Sequence, residues 1–193
     1  MLEMLDRVVW PGEPDVVSPE RPALSAGVIT RILLTWMKNE SREFSPEDKL
    51  LALAAGQAYP ELKIAENLGI MPSSITLVDR GFSSRARARF QNDYPEVATI
   101  ESGMFSFLGN PPAADFSIVT LIGVEHAFFD PMAMPTLVTL LPNVLRRDGV
   151  AIIFPCIGDN PRQEWLRQGF QPLLPWTTDN ILAYQYGGRG LQK

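Results

Sequence analysis

The stretch Phe116-Ser-Ile-Val-Thr-Leu121 decides the fold class. It is an almost uninterrupted run of apolar and β-branched residues, which predicts a strand that is buried on both faces. Asp115 and Glu125 bracket the wider apolar segment 116–124, which is much shorter than the ~18 residues that a membrane-spanning helix needs. Because strands of this kind lie in parallel sheets covered by helices, alternating strands and helices are expected around it.

Strands and helices do alternate on both sides of this run. Short apolar or β-branched runs predict strands, and longer segments with one apolar side predict helices. Gly69 and Gly169 are expected to end two helices, and Ser83 or Ser84 to begin another. The pattern therefore predicts an α/β domain with a mostly parallel sheet. The predicted strands are 50–55, 75–78, 97–100, 116–121, 150–154, 170–174 and 181–186, and the predicted helices are 61–68, 85–92, 132–147 and 162–168.

The N-terminal part differs from this alternation. Four prolines lie within residues 11–22, and this density predicts an extended arm rather than a helix or a central strand. A helix of about 15 residues is predicted after the arm, because apolar residues then recur at every fourth position and form one stripe. The residues of that stripe are Leu24, Val28, Ile32 and Trp36.

Composition narrows the possible functions. The chain has 193 residues, of which 46% are hydrophobic and 20% charged, as expected for one globular domain. Its 17 Lys and Arg against 22 Asp and Glu give a net charge of −5, which disfavours binding to a nucleic-acid backbone. One Cys and one His exclude a disulfide framework and a Cys/His zinc site, so no metal is expected and a reducing, cytoplasmic setting is indicated. No secretory signal or membrane-spanning segment is recognised.

Chemistry in a parallel sheet is expected where the strands end. Gly56-Gln57-Ala58 follows the first predicted strand, and a glycine there lets the backbone approach a ligand closely. Asp79 ends the second strand, 23 residues after Gly56. A carboxylate at about that spacing can accept hydrogen bonds from the hydroxyls of a ribose. As a strand-end acid that faces a cleft, Asp79 is expected to contribute little to stability.

The segment 50–186 resembles the class I, Rossmann-like methyltransferases that depend on S-adenosylmethionine. The resemblance implies a seven-stranded, mostly parallel sheet with helices on both faces and an antiparallel end. We expect a domain over residues 45–186 and an N-terminal arm and helix packed on it at 1–44. Residues 187–193 are polar and rich in glycine, which predicts a flexible tail. The matching segments are Leu50-Leu-Ala-Leu-Ala-Ala-Gly-Gln-Ala58, Ile75-Thr-Leu-Val-Asp79, Asp115-Phe-Ser-Ile-Val-Thr-Leu-Ile-Gly-Val-Glu-His126, Leu141-Pro-Asn-Val-Leu-Arg-Arg-Asp-Gly-Val-Ala-Ile-Ile-Phe154, and Gly169-Phe170 with 181–186.

The resemblance also implies how S-adenosylmethionine would be held. Asp79 would bind the ribose hydroxyls, the backbone of 56–58 would lie against the methionine part, and Met104 and Phe105 would flank the adenine. His126, after the fourth strand, is a candidate general base, with a structural, hydrogen-bonded histidine as the alternative. The predicted cofactor-binding residues are Gly56, Gln57, Ala58, Asp79, Arg80, Met104, Phe105 and Ile122, and no metal ligand is predicted.

The chain departs from the family in its glycine-rich motif. The family pattern of an acid followed by three alternating glycines falls here on Ala52, Ala54, Gly56 and Ala58. An alanine is tolerated at such a position where φ is negative, but it is strained where φ is positive. An acid that contacts the adenine in the family is also missing after the third strand, where Gly103 and Met104 stand instead.

Two alternatives belong to other functional classes. The loss of motif residues favours a domain of the same fold that has no catalytic activity and serves as a binding or scaffold protein. Alternatively, residues 45–90 could form a DNA-binding helix-turn-helix with Gly69 in its turn. The β-branched run 75–78 and the net negative charge speak against the helix-turn-helix.

Other conspicuous residues have simpler interpretations. The arginines at 80, 85, 87 and 89 are expected on a solvated helix face. Trp36, Trp165 and Trp176 are expected in the core, and Cys156 is expected to be a small buried residue.

Overall fold

The structure is a computed structural model, and it describes residues 2–9, 20–112, 115–123, 131–154, 162–173 and 181–188. The described residues form α-helices and strands that alternate through most of the chain. The helices are α1 (Leu2–Val9), α2 (Glu20–Asn39), α3 (Tyr59–Leu68), α4 (Ser84–Asp93), α5 (Met104–Gly109), α6 (Ala133–Leu140) and α7 (Arg162–Arg167). The strands are β1 (Leu50–Leu53), β2 (Ile75–Asp79), β3 (Ala98–Glu101), β4 (Phe116–Ile122), β5 (Leu145–Phe154), β6 (Phe170–Pro172) and β7 (Leu182–Tyr186).

The seven strands form one sheet in the order β3-β2-β1-β4-β5-β7-β6. The first five strands pair in parallel, and β7 runs antiparallel to both β5 and β6. Strand order reverses between β1 and β4, because β2 and β3 follow on one side of β1 and β4 and β5 follow on the other side. This topology confirms the predicted fold class. All seven residues of β4 are buried, as the run at 116–121 predicts.

Helices cover both faces of the sheet. Side chains of β1 alternate between the two cores: Leu51 and Leu53 lie in one, and Leu50 and Ala52 in the other. Helices α2, α3 and α4 pack on the core that contains Leu50, and α1, α5, α6 and α7 contribute to the opposite one. None of the helices in the described ranges is long and apolar enough to cross a membrane.

Predicted helix ends and core aromatics are confirmed. The Ser83 hydroxyl accepts a hydrogen bond from the Ala86 N–H at 3.2 Å and caps α4, and Gly69 ends α3 with a φ of 71°. Trp165 is completely buried and stacks on Tyr184 with ring centroids 4.3 Å apart. Trp36 of α2 points into the core between α2 and the sheet. Trp176 and Cys156 lie outside the described residues.

The predicted helix 132–147 is too long. α6 ends at Leu140, and a turn of 3-10 helix follows at Leu141–Asn143. Pro142 has no N–H for an α-helical hydrogen bond, which explains an end here rather than a kink. The next residues begin β5 at Leu145, which pairs with Phe116 of β4 through an irregular register.

The N-terminal prediction is partly wrong. Residues 20–22 are helical, because α2 begins at Glu20. Pro22 is tolerated there, because N–H groups in the first turn of a helix make no intrahelical hydrogen bond. The rest of the predicted arm, residues 11–19, lies outside the described residues, as do residues 189–193 of the predicted tail. Neither α1 nor α5 is predicted from the sequence.

The helix-turn-helix alternative is wrong. Residues 75–79 form β2, which pairs in parallel with β1 and β3 at the interior of the sheet. A recognition helix at that place is therefore excluded.

Candidate functional site

Most of the predicted site residues lie at the carboxyl ends of three neighbouring strands. Gly56, Gln57 and Ala58 follow β1, Asp79 and Arg80 stand at the end of β2, and Ile122 ends β4. β1 lies between β2 and β4, so these residues share one edge of the sheet beside the point where strand order reverses. Ligands of open α/β sheets bind at such a place.

The loop between β1 and α3 has left-handed backbone at alternate residues. Ala54, Gly56 and Ala58 have φ values of 51°, 52° and 51°. These are the three positions on which the glycines of the family pattern fall, and here the backbone is left-handed at all three although two of them are alanine. Each alanine carries a Cβ in a conformation that costs an L-residue roughly 1–2 kcal/mol relative to right-handed backbone.

Asp79 ties this loop to the end of β2. One of its carboxylate oxygens accepts the Gly56 N–H at 2.8 Å, and the other accepts the Gly81 N–H at 3.0 Å. The residue is only 3% exposed. The expectation that Asp79 contributes little to stability is therefore wrong, because its buried carboxylate accepts hydrogen bonds from the backbone of the loops after β1 and β2.

A second group of polar side chains lies under the same loop, and we call it the Gln57–Glu61–Arg89 cluster. The Arg89 guanidinium donates to the Gln57 carbonyl, and its carbon lies 3.8 Å from the centre of the Tyr59 ring. The Gln57 amide nitrogen donates to the Ser83 hydroxyl at 3.0 Å. Arg89 is thus not on the solvated helix face expected for it, whereas the other three arginines of that group are exposed.

Four buried polar atoms of this cluster have no hydrogen-bond partner among the described residues. They are Gln57 Oε1, Glu61 Oε2, Arg89 Nε and Arg89 Nη1. Burial raises the pKa of the Glu61 carboxyl from 4.5 to about 8, although its own backbone N–H and the Arg89 charge favour the ionised form. The Asp79 charge adds a smaller effect that also raises this pKa. Glu61 is therefore mostly protonated at neutral pH.

The residues predicted to flank the adenine lie in the core instead of at the edge of the sheet. Met104 and Phe105 begin α5 and are 5% and 0% exposed, with side chains in the core that α1 and α6 share. Their side chains cannot stack on a ligand at the edge of the sheet, because apolar neighbours surround them. The missed feature is Asp6 of α1, whose carboxylate accepts the Phe105 N–H at 2.8 Å and the Ser106 N–H at 3.0 Å.

A cavity of about 180 Å³ opens beside these groups. It lies at the ends of β2 and β3, because Arg80 directly follows β2 and Gly103 precedes α5. The lining residues are Glu3, Asp6, Arg80, Gly103 and Ser106. No sequence signal indicates this cavity, since Glu3 and Asp6 reach it only through the packing of α1.

Catalytic and metal-binding residues are less defined. The candidate base His126 lies outside the described residues. Within the described ranges, no cluster of His, Cys, Asp and Glu side chains could hold a metal ion.

The groups at this edge fit S-adenosylmethionine. A Cβ added at Gly56 would meet no heavy atom within 4 Å, so the loop backbone is open to a ligand on that side. Each Asp79 oxygen accepts one N–H in the structure, and a carboxylate offers about four lone-pair sites in all. About two of these lone-pair sites accept no hydrogen bond from Gly56 or Gly81 and could accept one from a ligand.

Comparison with solved structures shows the fold. The chain has the class I, Rossmann-like methyltransferase fold. YhhF from Escherichia coli, assigned as a methyltransferase, matches with a TM-score of 0.57 and 12% identity over 93% of this chain and 92% of its own. HI0767 from Haemophilus influenzae, assigned as a methylase, matches with a TM-score of 0.56 and 15% identity over 83% of this chain and 98% of its own.

A larger enzyme matches in part. The sugar N-methyltransferase KedS8 from a Streptoalloteichus species matches with a TM-score of 0.50 and 16% identity over 70% of this chain, which spans 49% of KedS8. No protein-family model matches the sequence, and no curated protein matches it. At these identities the likeness establishes the fold and leaves the reaction to be argued from the site.

Proposed function

We propose that the protein binds S-adenosylmethionine and transfers its methyl group to an acceptor. One observation carries the proposal: the Asp79 carboxylate and the left-handed loop at Gly56 meet at 2.8 Å where strand order reverses. A carboxylate and an open backbone at that point are the two groups that an adenosyl ligand requires there. The shared fold of structures named as methyltransferases supports the same reaction class.

Different residues of the chain would bind different parts of the cofactor. Asp79 would accept the ribose hydroxyls, and the backbone of 56–58 would contact the methionine part. Arg80 and the cavity beside it would take the adenosine end. We propose residues 45–186 as the domain that does this, with 1–44 packed against it.

Methyl transfer asks little covalent chemistry of the protein. The bound cofactor supplies an activated methyl group on a sulfonium. The chain has to align the acceptor behind that methyl group and exclude water, because in-line displacement depends on position. If the acceptor carries a proton that must be removed, His126 after β4 is the candidate base. We keep a cytoplasmic setting as a prediction from the single Cys.

Calorimetric titration with S-adenosylmethionine tests the proposal, with NAD and duplex DNA as comparison ligands. We expect binding of S-adenosylmethionine alone. Asp79→Asn should weaken it by roughly thirtyfold or more, because charge-assisted hydrogen bonds to the ribose are lost. Asp93→Asn removes an exposed carboxylate from the end of α4 and should leave the affinity unchanged. No heat at millimolar S-adenosylmethionine would refute the proposal.

A non-catalytic binding domain of the same fold is the second candidate. Two observations at the same site favour it. Both Asp79 oxygens already accept backbone N–H groups, and two alanines strain the loop that would meet the cofactor. Under this alternative, neither the wild type nor the Asp79 variant would respond to S-adenosylmethionine.

A further inference from the structure

Two glycines at the ends of α5 fit one face of α1. A Cβ added at Gly103 would overlap the Asp6 carboxylate, and a Cβ added at Gly109 would overlap a Leu2 methyl group. Leu2 and Asp6 are four residues apart and therefore lie on the same side of their helix. Leu5 of α1 is 8% exposed and belongs to the core beneath α5. The backbone of α5 is thus shaped at both ends to receive α1.

Asp6 fastens this contact with its charge. One carboxylate oxygen accepts the Phe105 N–H at 2.8 Å, and the other accepts the Ser106 N–H at 3.0 Å and the Ser106 hydroxyl at 2.6 Å. Asp6 is 8% exposed, so these are buried, charge-assisted hydrogen bonds. They fix the first turn of α5, which follows β3 at the edge of the sheet that holds Asp79 and Arg80.

The same turn of α1 closes the cavity described above. Glu3 and Asp6 are three residues apart, so their side chains lie side by side along the cavity. Arg80 and Gly103 also line the cavity. The Ser102 N–H, next to Gly103 in the chain, donates to the Asp79 carbonyl at 2.8 Å. The wall therefore reaches the strand that carries the proposed ribose-binding carboxylate.

We propose that α1 forms the outer wall of the cofactor site at the ends of β2 and β3, with Asp6 as its positioning residue. The inference rests on the proposed function and assigns the cavity to the adenosine end of the ligand. At about 180 Å³ the cavity is below the ~300–1,000 Å³ of a pocket for a whole drug-sized ligand, so it holds one end of it. Two carboxylates against one guanidinium favour a neutral group with hydroxyl or amino donors and disfavour an anion.

Three variants of α1 are compared. One weakens the contact between α1 and α5, one removes a charge from the cavity wall, and one is a control on the same helix. Asp6→Asn keeps the shape of the side chain, but its amide nitrogen cannot accept an N–H from α5. Glu3→Gln removes a lining charge and leaves the contact with α5 intact. Met4→Ala alters a residue that is 70% exposed on the same helix and serves as the control.

Affinity and amide exchange are measured together. S-adenosylhomocysteine is titrated by calorimetry, and hydrogen exchange is followed at the Phe105 and Ser106 amides. We expect Asp6→Asn to weaken binding by about tenfold or more and to speed exchange at both amides, since their shared acceptor is impaired. Met4→Ala should change neither quantity.

A charge-dependent measurement excludes a merely structural role. Adenosine and adenosine 3′-monophosphate are titrated by NMR against wild type and Glu3→Gln. We expect the wild type to prefer adenosine and the Glu3→Gln variant to narrow that preference severalfold, because one of the carboxylates that repel the 3′-phosphate is gone. A general loosening of the fold would weaken both ligands by the same factor.

The outcomes distinguish this inference from the proposed function. If the wild type binds S-adenosylhomocysteine and all three variants bind it equally well, the inference is overturned and the proposed function stands. If the wild type does not bind it, the proposed function fails, and the cofactor wall with it. If Asp6→Asn does not fold, as judged by circular dichroism, Glu3→Gln decides, and an unchanged preference between the two adenosine ligands overturns the inference.

Discussion

Two loops at the carboxyl edge of the sheet, one on each side of β2, are held in their conformations in different ways. After β3, Gly103 omits a side chain, and the Asp6 carboxylate lies where its Cβ would be. After β1, Ala54 and Ala58 take left-handed backbone that glycine would adopt without strain. The β3 loop is relaxed and held by another helix, whereas the β1 loop is strained and held by a buried carboxylate and a polar cluster beneath it.

The comparison shows that the strained loop depends on more supporting contacts. Asp79 holds Gly56 from one side, and Arg89 holds the Gln57 carbonyl from the other. We infer that these contacts keep the loop in its conformation despite the two alanines. The four predictions that follow test this difference, from the largest expected effect to the smallest.

Glu61, under the strained loop, is expected to make stability depend strongly on pH. Its pKa of about 8 in the fold lies above the value of 4.5 of an exposed glutamate. The folded chain therefore binds a proton that the unfolded chain releases, and the stability from this proton is complete below pH 4.5 and lost as pH rises to about 8. Linkage gives a loss of about 3 kcal/mol between pH 5 and 8.

Chemical denaturation across that pH range checks this loss. Glu61→Gln resembles the protonated acid and should remove the dependence, so that the variant and the wild type agree at pH 5 and the variant is the more stable at pH 8. Parallel pH profiles for the two proteins would contradict the prediction.

Asp79→Ala is expected to lower the free energy of unfolding by about 2–4 kcal/mol. The substitution removes the acceptor of the Gly56 and Gly81 N–H groups, and a bond to a charged group contributes roughly 1.5–3 kcal/mol. The Gly81 bond contributes less than this, because Gly81 is exposed and water can replace the carboxylate. Urea denaturation measures the change. Asp93→Ala removes an exposed carboxylate and should shift stability by less than about 0.5 kcal/mol. Equal effects of the two substitutions would show that Asp79 does not support the loop.

Part of this site follows from the sequence and part does not. The positions of the strands, the carboxylate at the end of β2 and the glycine at 56 follow from local patterns, because apolar runs and strand ends are visible in a single segment. The role of Asp79 as an acceptor for the loop does not follow, since it depends on a hydrogen bond across 23 residues.

The α1 wall was missed for the same reason. Asp6 and Phe105 are 99 residues apart in sequence, and no local pattern connects them. Likewise, a left-handed φ can be anticipated at a glycine but not at Ala54 or Ala58, whose residue type favours right-handed backbone. Gly103 was read only as a departure from the family pattern, because the side chain that needs its space belongs to another helix.

The relaxed loop has its own test in Gly103→Ala. The added methyl group would overlap the Asp6 carboxylate, so α1 or α5 has to move, and overpacking of this kind costs about 1–3 kcal/mol. Gly81→Ala is the matched control, because a Cβ at Gly81 would meet no heavy atom within 4 Å. Thermal melts of both variants decide. A Gly103→Ala protein as stable as Gly81→Ala would mean that α1 does not dock as described.

The smallest expected effect is a gain in stability from glycine in the strained loop. Ala54→Gly should raise the free energy of unfolding by about 0.5–1 kcal/mol, because relief of the left-handed strain outweighs the added freedom of the unfolded chain. Ala58→Gly should gain less, because the Ala58 methyl group is buried in the core and its burial is lost. Ala55→Gly, in the same loop but without a positive φ, gains no such relief and should lose about 0.5–1 kcal/mol. Opposite signs at neighbouring positions cannot arise from composition alone, so urea denaturation of the three variants isolates the backbone strain. If all three variants lose stability alike, the alanines are not strained, and the contrast between the two loops disappears.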